Sequence, residues 1–186
     1  MTLVELNMIL SKIGKTKKDF DLFIETGSYV GETLHNIKSE FNKLISIEIT
    51  EKYFSYCKAK FGNEKNVEMI HGDSVVVFSK LIPEYSNKNV IFFLDGHYSA
   101  GDTGKNGMDC PVIEELKIIN EKHCGNALII IDDADLFEYV DSNICWSGIN
   151  ENNILGVINR PFTHFYLQNI VPPTKRRMII ELNKMS

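Results

Sequence analysis

Two glycines four residues apart follow an apolar run that ends in an acid. The run Phe23-Ile24-Glu25 precedes Gly27 and Gly31, and the residues after Gly31 can begin a helix. This order predicts a strand, a tight glycine turn and a helix N-terminus, where the backbone approaches a nucleotide-like ligand closely. The acid narrows the ligand class, because Glu25 would repel a pyrophosphate but would tolerate an ammonium group.

A second acid, Glu48, lies at the end of the next apolar run. Its position is close to the offset of about 20 residues expected of a ribose-binding acid after a glycine turn, and its carboxylate can accept hydrogen bonds from both ribose hydroxyls. Glu25 and Glu48 together favour S-adenosylmethionine over a dinucleotide, because that molecule has a sulfonium, an ammonium and a ribose. The alternative is that both acids are solvated loop residues. Asp73 and Ser74, after the third apolar run, could contact an adenine edge.

Three aspartates follow the two most apolar runs of the chain. Asp95 comes after the fourth run, and Asp132 and Asp133 come after the fifth. If these strands are adjacent, the three carboxylates converge and need a cation, because like charges repel. An all-oxygen ligand set suits Mg²⁺ or another hard divalent ion, which would hold a substrate hydroxyl and lower its pKa. The alternative is that Asp133 or Asp135 only caps the following segment.

Two side chains in the loop after Asp95 are candidates for a general base. The imidazole of His97 titrates near neutral pH and can take a proton from a hydroxyl, whereas a structural histidine is the alternative. Lys105, in the Gly-rich loop, is the rival base, with a solvated lysine as its alternative. Tyr98 and Trp146 could line a substrate pocket or could pack in the core.

The elements that would position these residues alternate between strand and helix. Apolar periodicity predicts helices over residues 3–13, 31–40, 50–61, 73–83, 111–121 and 153–159, and strands over 22–24, 44–49, 67–70, 90–94, 127–131, 164–170 and 177–182. This alternation predicts a doubly wound α/β sheet closed by an antiparallel hairpin. The ends of parallel strands collect on one edge of such a sheet, so the acids should lie together there.

The composition indicates one globular domain. The chain has 186 residues and a formal net charge of −5, and no basic stripe indicates general nucleic-acid binding. The one basic cluster, Lys175-Arg176-Arg177, is interpreted as a solvated strand edge. Four cysteines without C-x-x-C spacing indicate free thiols in a reducing compartment. No signal peptide or membrane span is recognised, so we expect a cytoplasmic protein that does not bind membranes. Residues 1–186 form one domain in this interpretation, with a helix and link over 1–19 and a core over 20–183.

These motifs together resemble the class I S-adenosylmethionine-dependent methyltransferases. Within them the chain is similar to the metal-dependent small-molecule O-methyltransferases, of the catechol and of the macrolide and sugar types. The similarity rests on the glycine turn from Glu25 to Thr33, on Ile47-Glu48-Ile49, on Phe93-Leu94-Asp95-Gly96-His97 and on Ile131-Asp132-Asp133. It implies a Rossmann-like, doubly wound sheet of seven strands in the order 3-2-1-4-5-7-6, with the last strand pair antiparallel.

The resemblance also implies a function for the site. The residues expected to bind S-adenosylmethionine are Glu25, Thr26, Gly27, Ser28, Tyr29, Gly31, Thr33, Glu48, Ile49, Gly72, Asp73, Ser74 and Asp95. The expected metal ligands are Asp95, Asp132 and Asp133, and the expected catalytic residues are His97, Asp95 and, as the rival base, Lys105. The predicted reaction is Mg²⁺-assisted O-methylation of a small-molecule or sugar hydroxyl. The alternatives are a non-catalytic module that binds S-adenosylmethionine and an NAD-binding enzyme. The acceptor and the oligomeric state stay open, a homodimer being one option.

Overall fold

A computed structural model describes residues 1–98, 104, 107–168 and 176–185 of the chain. Its strands are β1 (Leu22–Thr26), β2 (Leu44–Glu48), β3 (Val67–His71), β4 (Val90–Leu94), β5 (Ala127–Ile131), β6 (Phe162–Gln168) and β7 (Arg176–Leu182). Its α-helices are α1 (Leu3–Lys12), α2 (Glu32–Ile37), α3 (Glu51–Phe61), α4 (Ser74–Leu81), α5 (Val112–Lys122) and α6 (Glu151–Gly156). Among the described residues, no helix is long and apolar enough to cross a membrane.

The strands form one sheet in the order β3-β2-β1-β4-β5-β7-β6. The first five strands of this order pair in parallel, and β7 pairs antiparallel with both β5 and β6. Strand order and the antiparallel last pair confirm the prediction. The four strands β1, β2, β4 and β5 are buried along their whole length, as continuous apolar runs between two helical layers should be.

Two apolar cores lie on opposite faces of the sheet. Alternate strand residues contribute to each, so that Phe92 packs in one core and its neighbours Ile91 and Phe93 pack in the other. Helices α4, α5 and α6 cover the first face, and α1, α2 and α3 cover the second. Fully burying one such apolar side chain stabilises the fold by roughly 1.5–3 kcal/mol. The apolar residues that alternate along the central strands therefore determine on which face of the sheet each polar residue of those strands lies.

Some element boundaries differ from the predictions. Helix α2 ends at Ile37, earlier than the predicted residue 40, and α6 covers residues 151–156 where 153–159 was predicted. Strand β6 begins at Phe162, two residues earlier than predicted. The end of its predicted range and the connection of the predicted closing hairpin lie outside the described residues. None of these differences moves the acid-bearing strand ends.

Candidate active site

The carboxyl ends of β1, β2, β3, β4 and β5 meet at one edge of the sheet. This follows from their parallel pairing, which keeps all five strands in the same direction. The acids singled out in the sequence lie at or just past these ends. We call this edge the acidic edge, and it is the part of the fold where a ligand is expected.

The glycine turn after β1 lies flat against the end of β4. Gly27 has φ +80°, and a Cβ atom built on it would lie 2.3 Å from the backbone oxygen of Asp95. Gly31 has φ +72°, and a Cβ atom there would lie 2.5 Å from the ring of Phe61. Because no side chain fits at either position, the turn presents bare backbone to the edge, as a cofactor cradle requires.

Glu48 holds this turn in place from the end of β2. Its Oε2 accepts a hydrogen bond from the backbone N–H of Tyr29 at 2.8 Å, and its Oε1 accepts one from Thr50 N–H at 2.8 Å. Tyr29 has φ +47°, a conformation that costs a non-glycine residue roughly 1–2 kcal/mol, so the bond to Glu48 offsets local strain. A carboxylate has about four acceptor positions, so these two hydrogen bonds use about half of them.

Glu25 lies beneath the turn, with only 1% of its surface exposed. Register places it beside Ser46, whose hydroxyl donates to Glu25 Oε2 at 2.5 Å and contacts the hydroxyl of Ser28 at 2.6 Å. Burial raises the pKa of Glu25 to about 7, and the bonds from Ser46 and Thr33 oppose that rise only in part. The alternative that Glu25 and Glu48 are solvated loop acids is wrong, because both are buried.

The residues expected near an adenine lie beside Glu48. The N–H of Gly72 donates to the backbone oxygen of Glu48 at 2.9 Å, which joins the ends of β2 and β3. Asp73 caps α4 by accepting the N–H of Val76 at 3.0 Å, and Ser74 begins that helix. This cap uses Asp73 Oδ1, so Asp73 also has a structural role at the acidic edge.

The loop after β4 approaches the same region from the other side. A Cβ atom on Gly104 would lie 2.4 Å from Cγ2 of Ile49, so the loop touches the residue after Glu48 at this point. Tyr98 N–H donates to the backbone oxygen of Asp109 at 2.6 Å, which brings the two ends of the loop together. Lys105, the rival base, lies outside the described residues.

His97 lies between two of the three aspartates. Its Nε2 is 3.1 Å from Asp133 Oδ2, and its Nδ1 is 3.6 Å from Asp95 Oδ1. The ring packs edge-on against Trp146, with centroids 4.9 Å apart, and Trp146 is buried. Burial alone would lower the pKa of His97, but the hydrogen bond to Asp133 and the negative charges of the aspartates raise it overall. Burial and the nearby Asp132 raise the pKa of Asp95 to about 8.

Asp132 is paired with an arginine that the sequence interpretation placed in solvent. Arg177 Nη2 donates to Asp132 Oδ2 at 3.3 Å, and Arg177 Nε lies 2.9 Å from Asp132 Oδ1, an ion-pair distance without the alignment of a hydrogen bond. Arg177 Nη1 donates to Glu5 Oε1 at 2.6 Å. The interpretation of residues 175–177 as a solvated strand edge is therefore wrong for Arg177, which is 4% exposed.

The predicted magnesium site does not fit these side chains. Asp132 faces a guanidinium, which can never accept or coordinate, and Asp133 faces the imidazole of His97. Among the described residues, no group of three or more His, Cys, Asp or Glu is arranged to hold a metal ion. Asp95 and Asp133 each face His97 and Asp132 faces Arg177, so protein side chains lie against these carboxylates.

One buried acid of this edge was missed in the sequence. Glu115 of α5 is 1% exposed, and burial raises its pKa to about 7, although the nearby hydroxyls of Ser74 and Thr26 oppose the rise. It borders a cavity of about 10 Å³, room for one water molecule, that His97 and Trp146 also line. The sequence did contain a signal that Glu115 is buried. Its spacing from Val112, Leu116 and Ile119 places it on the same buried face of the helix as those residues.

The fold matches that of known methyltransferases at low sequence identity. A Staphylococcus aureus protein provisionally assigned as a caffeoyl-CoA O-methyltransferase matches with a TM-score of 0.64 and 16% identity, over 97% of this chain and 84% of that one. A Streptococcus mutans protein provisionally assigned as a methyltransferase, in complex with S-adenosylhomocysteine, matches at 0.60 and 15%, over 98% of each chain. The N-methyltransferase NodS of Bradyrhizobium japonicum matches at 0.61 and 10%, over 97% and 95%. No protein-family model matches the chain, and no curated protein is similar to it.

Proposed function

We propose that this protein is an S-adenosylmethionine-dependent methyltransferase that methylates a hydroxyl of a small molecule or sugar. The observation that carries the proposal is the pairing of the glycine turn with Glu48, while Gly27 of that turn lies against Asp95 and Gly96, just before His97 in the chain. Bare backbone at Gly27, a buried carboxylate at Glu48 and an acid beneath the turn suit a ligand with a ribose and an ammonium. The shared fold of methyltransferases with O- and N-acceptors supports the donor more strongly than the acceptor.

In this proposal Glu48 accepts hydrogen bonds from the ribose hydroxyls. The negative charge of Glu25, which lies beneath the turn, stabilises the positive charge of the ligand ammonium above it. S-adenosylmethionine, when bound, would supply a methyl group on its sulfonium, and an acceptor oxygen would bond to that methyl carbon in line as the carbon–sulfur bond breaks, leaving S-adenosylhomocysteine. Because the turn and the ribose acceptor are already held in position, little ordering is left to the moment of binding.

His97 is the proposed general base. Its Nε2 lies 3.1 Å from Asp133 Oδ2, a carboxylate that would hold a proton on that nitrogen, and Nδ1, which faces Asp95 at 3.6 Å, is the nitrogen proposed to accept the hydroxyl proton. The ring is fixed by Asp133 on one side and by Trp146 on the other, as an orienting acid and a rigid wall fix catalytic histidines in other enzymes. No step is assigned to a metal ion.

The test begins with binding and ends with turnover. Calorimetry with S-adenosylhomocysteine and with NAD identifies the ligand, and release of S-adenosylhomocysteine from S-adenosylmethionine is then followed over a panel of catechols, sugars, nucleosides and an rRNA fragment. Binding of NAD alone would sink the proposal. Binding of S-adenosylhomocysteine without transfer to any panel member would favour the non-catalytic module.

The base is tested by His97→Gln. We expect transfer to fall by roughly 10²–10⁴-fold while the affinity for S-adenosylhomocysteine stays within about twofold, because a general base contributes to that extent in the transition state. The matched control is His164→Gln, since His164 lies on β6 beside Glu151, away from the acidic edge. Equal turnover of the wild type and His97→Gln would remove the base from the mechanism.

A further inference from the structure

The most unusual feature of the acidic edge is a buried arginine against Asp132, one of the three aspartates that the sequence predicted to hold a divalent cation. The side chains of Arg177, Asp132 and Glu5 are 5%, 7% and 9% exposed, respectively. We propose that the guanidinium of Arg177 takes the place of a divalent cation at this edge, and that the site works without a metal ion. The inference takes the acidic edge to be the site of the proposed methyl transfer, but its test is metal binding, which has an outcome whether or not transfer occurs.

The strand topology explains how an arginine reaches this edge. Strand β7 runs antiparallel to β5, and its register pairs Met178 with Ile131. Arg177 precedes Met178 and Asp132 follows Ile131, so the two side chains meet just past the carboxyl end of β5. A parallel strand in this position would present its own carboxyl end here, whereas the antiparallel strand delivers a residue near its start.

The contacts of Arg177 use its donors on both acids at once. Nη1 donates to Glu5 Oε1 at 2.6 Å and Nη2 donates to Asp132 Oδ2 at 3.3 Å, with Nε 2.9 Å from Asp132 Oδ1. The guanidinium also lies 5.9 Å from the ring centroid of Phe93. Such planar, two-sided contact is a geometry that an arginine makes well and a hydrated metal ion does not.

A divalent ion on Asp132 would have to compete with this arrangement. Mg²⁺ needs oxygen lone pairs at about 2.0–2.1 Å in near-octahedral geometry. Binding there would displace the guanidinium or place two cations side by side in a buried region, where repulsion between like charges is weakly screened. Asp133, the neighbouring carboxylate, would have to leave His97 at the same time.

Arg177 is therefore a positioning residue. It fixes the Asp132 carboxylate at the edge and, through Glu5, connects helix α1 to the end of β5. Asp132 in turn is part of the negative surroundings of His97 and Asp95. The charge that a metal would supply is covalently part of the chain, so a chelator cannot remove it.

The test measures Mn²⁺ binding to the full-length chain by the loss of the free-ion electron paramagnetic resonance signal, with the melting temperature recorded in EDTA and in Mn²⁺. We expect no saturable binding to the wild type, and the same melting temperature in EDTA as in Mn²⁺. Arg177→Gln is expected to gain saturable binding, because Asp132 and Glu5 then lack a cation, whereas Arg177→Lys retains a positive charge and is expected to gain none. If transfer is detected, it should be unaffected by the chelator.

Saturable Mn²⁺ binding to the wild type that disappears in Asp132→Asn would overturn the inference. This comparison decides the question even if Arg177→Gln does not fold. Failure to bind S-adenosylhomocysteine would refute the proposed function alone, since it leaves the metal measurement unchanged. If Arg177→Lys gained Mn²⁺ binding to the same extent as Arg177→Gln, the inference about Arg177 would also be contradicted, because the positive charge would then not be what excludes the metal.

Discussion

Replacing Glu48 by glutamine tests the two functions assigned to its carboxylate. In the structure each oxygen accepts one backbone N–H, from Tyr29 and from Thr50, both at 2.8 Å. An amide has one acceptor oxygen, so in either orientation of Glu48→Gln the NH₂ group faces a backbone donor. One part-buried N–H loses its partner, and the turn at Tyr29, which already has φ +47°, loses part of its support.

The expected cost follows from that lost partner. Leaving a buried donor unsatisfied costs about 1–3 kcal/mol, so the free energy of unfolding should fall by about 2 kcal/mol. For a domain of this length, that corresponds to a fall of roughly 4–8 °C in melting temperature. Loss of a charged ribose acceptor should in addition weaken the binding of S-adenosylhomocysteine by roughly 10- to 100-fold.

Two assays separate the structural effect from the ligand effect. Urea denaturation gives the free energy of unfolding, and titration calorimetry gives the dissociation constant of S-adenosylhomocysteine. The matched control is Glu121→Gln, an exposed glutamate at the end of α5, for which we expect changes within about 0.5 kcal/mol. Unchanged stability of Glu48→Gln would refute the claim that Glu48 holds the turn. Reduced stability with unchanged affinity would refute the ribose contact.

Three further results are expected. Gly27→Ala should destabilise the fold by about 2–4 kcal/mol in urea denaturation, because its Cβ would lie 2.3 Å from Asp95 O at a positive φ, whereas Gly156→Ala, with nothing within 4 Å, should be neutral or slightly stabilising. Binding of S-adenosylhomocysteine at neutral pH should release protons, because a ligand ammonium lowers the pKa of Glu25 from about 7, and calorimetry in buffers of different ionisation enthalpy measures this release. His123→Gln should reduce the loss of stability in acid, because burial lowers the pKa of His123 to about 4.

The sign of the His123 effect follows from where the proton binds. Between its ordinary pKa of 6.5 and the folded value of about 4, the unfolded chain takes up a proton that the folded chain does not. Stability is therefore lost as the pH falls through this range, by up to about 3 kcal/mol, and is unaffected above it. A slope of stability against pH in His123→Gln identical to that of the wild type would contradict this account.

The other two predictions have their own contrary outcomes. For Glu25, a binding enthalpy independent of the buffer would exclude proton release. For Gly27→Ala, wild-type stability would show that the turn can move away from β4.

Local patterns in the sequence were sufficient for the sheet and for the position of its acidic edge. The continuous apolar runs at β4 and β5 can only be buried on both faces, which requires helices on each side. Parallel strands then bring their ends to one edge, so that the acids following them, from Glu25 to Asp133, had to be neighbours. The glycine spacing of the turn was also local information, because positive φ at Gly27 and Gly31 needs no distant partner.

The partners of those acids were decided only by the tertiary structure. Arg177 reads as an exposed residue of a basic cluster, and only the antiparallel register of β7 against β5 places it beside Asp132. Glu115 likewise meets the acidic edge only because α5 packs on the face of the sheet that Thr26 shares. Sequence thus determined where negative charge collects, since that depends on strand direction. Which cation neutralises this negative charge depends on contacts between residues far apart in the chain, and those contacts exist only after the sheet has formed.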